Sequence, residues 1–344
     1  MNLDKESYKI DEKLKKAYVN SFNKVSDEIY YLIIIATKIL RYDFEKRTVE
    51  ADIDRLYDEF VYFKYYSEMS KDYLLNFFMP LILASRNFEG YESTVKELSE
   101  KLCRFYGFES KKYEYTIDVF CYDIIIRNLL IGNKDMLDIL NKIKDEIIDF
   151  NPYKDSKIDN VKFQMAKIKY IELIHKCIDS YEIEENYGVY ESGIEIIDIL
   201  QYVFNEDSFA TYSKKDDSGC KSVYNLLSAF VKDLEIIDDS KENLEEVYYM
   251  NMKSNIYKDF IKAMANHLLR VRYGKVSIGK YNLKSSPKDF LKRELGEVFS
   301  DPILSMVKVQ SREVVDENSE RKIVLKLSTK TGEYKFEYKI IDNS

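Results

Sequence analysis

The residue types with the most chemistry in them fall in one stretch, NYGVYESGIEIIDILQYVFNEDSF, at 186–209. Tyr187 and Tyr190 stand either side of Gly188, then come Glu191, Glu195 and Asp198, and beyond them Tyr202 and Asp207. At about 100° per residue, Glu191, Glu195, Asp198 and Tyr202 share one narrow stripe of a helix expected over 189–205. Ile194, Ile196, Ile197, Ile199, Leu200, Val203 and Phe204 fill the opposite arc. Carboxylates on the wet side of such a helix are not paired for acid/base work. Two readings stay open. The stripe is either a solvated face, or a negative recognition ridge for a basic ligand with Tyr187, Tyr190 and Tyr202 as anchors.

Other reactive types are sparse. His175 and His267 are the two histidines, far apart in the chain, and no HExxH or CxxC spacing offers a metal its ligands. His175 stands two residues from Cys177, so helical phase turns the pair apart. Cys103, Cys121, Cys177 and Cys220 are widely spaced and read as reduced, buried thiols. The doublets Asp216–Asp217 and Asp238–Asp239 could ligate a hard cation, but in a chain with 61 acids such doublets arise easily and usually sit in solvated loops, so no metal site is assigned. No P-loop and no glycine-rich turn after a strand is present, and no cofactor is called for.

The charge is uneven. The net charge is −8, yet residues 261–293 hold nine Lys/Arg against one acid, Asp289. Lys262, Arg270, Arg272, Lys275, Lys280 and Lys284 form the first part of this band, and Lys288, Lys292 and Arg293 the last. With Tyr273, Tyr281 and Phe290 interleaved, the band suits a nucleic-acid backbone. The competing reading is that it neutralises the protein's own acidic body and seats the C-terminal segment.

These residues must be positioned by helices. Only 10 Gly and 4 Pro punctuate 344 residues, 45% of them hydrophobic, which favours long helices. The 30 Tyr, 19 Phe and absent Trp make the aromatic mass mostly amphipathic. Residues 1–25 read as a charged leading helix or tail. Ser26 caps a helix running to about Asp43, and a second covers 49–67. A third begins near Ser70 and is expected to kink or split at Pro80. Further helices are expected at 95–105, across TIDVFCYDIIIRNLL, at MLDILNKIKDEIIDF, and at 157–182, 221–236 and 241–270. After a short helix at 288–299 the period changes to two. MVKVQSREVV, RKIVLKLS and YKFEYKIID then form a three-stranded antiparallel meander. Its apolar side, with Ile323, Leu325, Leu327, Phe336, Tyr338 and Ile340, needs a partner surface.

The chain therefore divides into a mainly α body, a multi-helix bundle or array over 1–285, and a short helix plus β-meander over 286–344. A polar start and apolar runs too short to cross a bilayer predict a soluble, cytoplasmic protein.

A family resemblance follows from the opening stretch. YGVYESGIE, with Tyr187, Gly188, Tyr190 and Glu191 or Glu195, resembles the C-terminal signature of PoNi-type immunity proteins, which neutralise a secreted bacterial DNase toxin. NEDSF supplies Glu206, Asp207 and Ser208 where that signature has its acidic pair, and ATYSKKD resembles the loop after it. Upstream, YYLIIIATKILRYDFEKRTVEADIDRLYDEF is similar to the family's N-terminal helix pair, so the likeness spans about 26–217. It implies a non-catalytic protein of bacterial defence that binds a basic toxin or nuclease through acidic and Tyr-rich surface. A second likeness, around MPLILASRNFEGYESTVKEL and LLIGNKDML, is to helical ADP-ribosylglycohydrolases. The metal-binding Asp motifs of that family have no counterpart here. The alternatives are thus a nucleic-acid-binding or structural adaptor using the basic band, and a degenerate or metal-dependent helical hydrolase.

Overall fold

Ser26 begins α2 (Asp27–Lys38) as its sequence predicts. Its hydroxyl accepts the Ile29 N–H at 3.4 Å, and Asp27 and Glu28 sit in the first turn, where carboxylates meet the positive end of the helix dipole. The computed structural model describes residues 2–66, 74–183, 192–205, 220–232, 255–276, 286–317 and 320–340.

The protein is mainly helical with a C-terminal antiparallel sheet. Residues 2–20 form a true core helix, α1 (Asn2–Asn20), with Leu14, Ala17 and Tyr18 wholly buried. The Tyr18 hydroxyl lies 2.7 Å from the Thr37 hydroxyl of α2. Then come α3 (Ile53–Tyr66), α4 (Leu74–Ala84), α5 (Glu92–Tyr106), α6 (Lys112–Leu130), α7 (Met136–Asp149), α8 (Lys157–Ile183), α9 (Glu195–Phe204), α10 (Lys221–Val231) and α11 (Asn255–Arg272). Every residue of α4 is buried, and it packs against α1, α2, α6, α10 and α11. Pro80 does not split it. The missing N–H removes one ladder bond, to the Asn76 carbonyl, and burial on all faces holds the helix together across that point.

The chain between α2 and α3 departs from the sequence reading. In place of a helix reaching Asp43 and another starting at Val49, the chain makes a hairpin of β1 (Leu40–Asp43) and β2 (Thr48–Ala51), with Arg41 opposite Glu50. Ile39 ends α2, and Asp43 Oδ1 accepts the Glu45 and Lys46 N–H groups at 2.8 and 3.0 Å. That side-chain turn folds the strand back on itself. Arg47 completes the loop at φ 55°, a left-handed conformation.

The terminal sheet has four strands, not three: β3 (Val298–Asp301), β4 (Ser305–Glu317), β5 (Glu320–Thr329) and β6 (Gly332–Lys339), each pairing with the next. β3 is VFSD, too short for alternation to register, and the sequence reading placed its first residues in the end of a helix. The preceding helix is a 3₁₀ turn at Pro287–Lys292.

The apolar side of the sheet rests on α3 and α2. Leu325, Leu327, Tyr334, Phe336 and Tyr338 are buried there together with Tyr62 and Phe290, while Tyr31, Tyr65 and Tyr66 pack around them. Hydrogen bonds fix the seat. Tyr62 donates to Asp301 Oδ2 at 2.8 Å, whose other oxygen accepts the Ile303 and Leu304 N–H groups. Tyr31 donates to the Glu333 carbonyl at 2.8 Å and Tyr30 to the Thr331 carbonyl at 3.0 Å. Lys38 donates to the Ile303 carbonyl at 2.9 Å and pairs with buried Glu59 at 2.6 Å. Tyrosines and Lys38 carry these bonds, and from the basic band Phe290 is buried in the seat and Arg293 lies over the Phe299 ring of β3.

Candidate functional site

The stretch that opened the sequence reading is entered through Ser192. Its N–H and hydroxyl both donate to Asp198 Oδ1, at 2.7 and 2.6 Å, and so fix the first turn of α9. Glu195, the first residue of α9, is half-buried and accepts the Cys220 thiol at the start of α10. Tyr202, expected on an exposed stripe, is buried. The reason is coverage: α9 packs against both α6 and α10, so its buried arc is wider than the apolar residues alone mark out. Gln201 is buried as well, with its amide 3.6 Å from Cys177 Sγ. Tyr187, Tyr190, Glu191 and Asp207 lie outside the described residues, as do Asp216–Asp217 and Asp238–Asp239. Glu195 and Asp198 thus each make a structural contact while staying partly exposed.

Behind α9 is a buried acid that the sequence reading passed over. Asp118 on α6 accepts the Tyr170 hydroxyl of α8 at 2.9 Å. Burial pushes its carboxyl up to about 8, with Glu195 and Glu114 adding to the rise and the Tyr170 hydrogen bond opposing it. The signal was available: Asp118 and Asp123 interrupt TIDVFCYDIIIRNLL, a helix with no polar face to receive them. Asp123 is likewise buried and raised by burial, against hydrogen bonds from Tyr91 at 2.5 Å and Arg127 at 2.6 Å.

The cysteines lie in the interior, as expected. Burial pushes Cys103 and Cys177 up to about 12, far from a nucleophilic thiolate at neutral pH. His175 is exposed while Cys177 is buried, so the two face apart. His267 is half-buried, and burial, then Arg55 and Arg270, lower its affinity for a proton. Among the described residues no group of three or more His, Cys, Asp or Glu could hold a metal ion.

The basic band is dispersed. Lys262 and Arg270 sit on α11, and Arg270 is exposed. Arg272 ends that helix and donates through Nη1 to the carbonyls of Leu83, at 3.0 Å, and Ser85. It thus caps the C-terminus of α4 with a cation. Tyr273 donates to Asp11 at 2.7 Å, and Lys275 lies over the Tyr273 ring. Lys292 pairs with Asp289, and Arg293 pairs with Glu297 while lying over the Phe299 ring. Lys280 and Lys284 are outside the described residues. The band has no common face among the residues described.

A surface that sequence reasoning missed lies on α8. Ile158, Val161, Met165 and Ile168, each more than half exposed, recur at helical spacing on its outer side, with exposed Ile148 on the adjoining α7. Glu172 and Asp179, also exposed, prolong the row towards the C-terminus of the helix, and Lys162, Lys169 and Lys176 flank one edge. Phe163, Tyr170, Ile174 and Cys177 bury the inner side. α8 is thus apolar on two sides, and this masked the outer row in a reading by period.

Comparison with known protein families, with curated proteins and with solved structures finds no match. Among the described residues no helix is long and apolar enough to cross a membrane.

Proposed function

We propose that the protein is a non-catalytic binding protein whose partner is another protein, of the basic toxin or nuclease class, held in a stoichiometric complex. The exposed aliphatic row of α8 is the observation that carries this reading. Four large aliphatic side chains aligned on one solvent face cost free energy in water, and contiguous apolar patches of this kind mark protein contacts. The charge around it is mixed, with Lys162, Lys169 and Lys176 along one edge; the acidic end of the row is what favours a basic partner. Glu172 and Asp179 continue the row, and the sequence directly after α8 adds Glu184, Glu185 and Glu191 with Tyr187 and Tyr190. An apolar anchor beside an acidic, Tyr-rich segment can steer a cationic cleft by long-range attraction and then exclude water from it.

The test uses the product of the gene immediately upstream as partner. Mixed with the full chain, it forms a 1:1 complex on size exclusion, and any nuclease activity it has is suppressed. Met165→Asp weakens that complex by tenfold or more while leaving the melting temperature of the free protein in place. An upstream product that does not bind, or one bound equally well by Met165→Asp, refutes the reading. Self-association of the free chain that Met165→Asp abolishes would instead make the α8 row a contact between copies.

A further inference from the structure

The hairpin β1–β2, the end of α4 and the end of α11 meet around a cavity of about 140 Å³. By the same measure one water needs roughly 10–15 Å³, so the space takes several waters or one compact polyatomic group. Three arginines line it from three separate elements: Arg47 from the hairpin loop, Arg86 just beyond α4, and Arg272 from α11, whose Nη1 also holds the Leu83 and Ser85 carbonyls. No Asp or Glu among the described residues lines it. Among the described residues neither Arg47 nor Arg86 has a carboxylate partner. Arg86 lies over the Tyr273 ring, whose hydroxyl is already engaged with Asp11.

The one acid acting on this cluster among the described residues, Asp11, favours the charged form of Arg272 from beyond the cavity wall and is bonded to Tyr273. The rest of the wall is suited to an acceptor-rich guest. Asn87 and the hydroxyl residues Thr48 and Ser85 stand in it, and the buried hydroxyls of Thr48 and Ser85 have no hydrogen-bond partner. Gly90 keeps the wall open, since a Cβ there would meet Asn87 Oδ1 at 2.7 Å. Arg47 is held at φ 55°, a conformation that Gly or Asn adopts without the strain an Arg bears.

We propose that this cavity is an oxyanion site that takes a phosphate group. Three cations call for more than the single negative charge of a carboxylate, and a phosphate dianion offers it. Guanidinium forks from different directions match the oxygens of a tetrahedral anion. The site is independent of the α8 surface, so either assignment can fail alone.

The test is titration of the full chain with inorganic phosphate, against chloride at matched ionic strength. It is read by melting temperature and by line broadening of the free ³¹P resonance. The expected result is a saturable rise in melting temperature with phosphate but not with chloride. Arg47→Asn and Arg86→Ala each raise the apparent dissociation constant by about tenfold, the loss of one charge-assisted contact. Both side chains are exposed, so neither change touches the core. Lys308→Ala, on the sheet and outside the cavity wall, leaves the binding unchanged. Glycerol 1-phosphate distinguishes the source. Tighter binding than inorganic phosphate assigns an organic phosphomonoester, equal binding assigns the free anion, and both uphold the site. A phosphate effect equal to that of chloride, or one that persists in both arginine variants, overturns it.

Discussion

Replacing Asp118 by Asn should change how stability depends on pH while leaving the fold alone. The ordinary value for this carboxyl is 3.8, and burial between α6 and α8 raises it to about 8. Between those values the native state keeps a proton that the unfolded chain has released. Fewer protons bound in the unfolded state means that stability falls as pH rises, by about 1.4 kcal/mol per pH unit for one group. The loss begins above the unfolded value and is complete once pH passes about 8. An Asn at this position is neutral throughout, is nearly the same shape, and can still accept the Tyr170 hydroxyl now bonded at 2.9 Å.

The stability of Asp118→Asn relative to the native chain should therefore increase with pH. Between about pH 5.5 and about pH 7.5 the difference should grow by about 2.5 kcal/mol. Urea denaturation of both proteins across that range measures it. Taking the difference cancels other titrating groups, including Asp123, which is also raised by burial. Curves that run parallel with pH would show that Asp118 does not hold a proton in the native state, and would refute the account of the α6–α8–α9 interior.

Three further outcomes follow from particular contacts. Tyr62→Phe removes the hydroxyl bound to Asp301 at 2.8 Å; chemical denaturation should register a loss of about 1.5–3 kcal/mol, with residues 286–340 cut sooner by protease. Gly274→Ala should destabilise by more than about 1 kcal/mol in a thermal melt, because φ is +62° and a Cβ would lie 2.8 Å from the Tyr42 ring. Native protein should react with a thiol reagent only as fast as it opens, since all four cysteines are buried. Rapid labelling of any of them would contradict that.

The helical body and the alternating strands were legible because each element carries its own period. Ser26 and the apolar run after it place α2 without help from elsewhere, and KIVLKL and YKFEYK alternate cleanly. What failed did so where the deciding interaction lies outside the local pattern. The β1–β2 hairpin depends on Asp43 folding over two backbone N–H groups, a contact without period. β3 is four residues long and exists because β4 pairs with it. The stripe on α9 was drawn from one helix, yet Tyr202 is buried by what α6 and α10 cover. Glu195 and Asp198, taken as recognition groups, also hold the neighbouring helix and the turn. The α8 row was lost in the opposite way: its inner and outer sides are both apolar, so only three-dimensional packing says which is covered.

The abundance of Tyr and absence of Trp have a structural counterpart in the seat of the sheet. A helix pair that covers a sheet must supply apolar area and also reach polar backbone at the rim. Tyr30 and Tyr31 do both, packing edge-on and tilted against neighbouring rings while their hydroxyls donate to the Thr331 and Glu333 carbonyls. Tyr338 returns the arrangement from the sheet side, donating to the Pro287 carbonyl at 2.6 Å. Phe at these positions would keep the area and leave the carbonyls unbonded. The covered surface of this protein is thus amphipathic and aromatic. The outer row of α8 is aliphatic and carries no such donors. A surface of that composition is suited to meeting side chains rather than backbone, which is what contact with the folded surface of another protein requires.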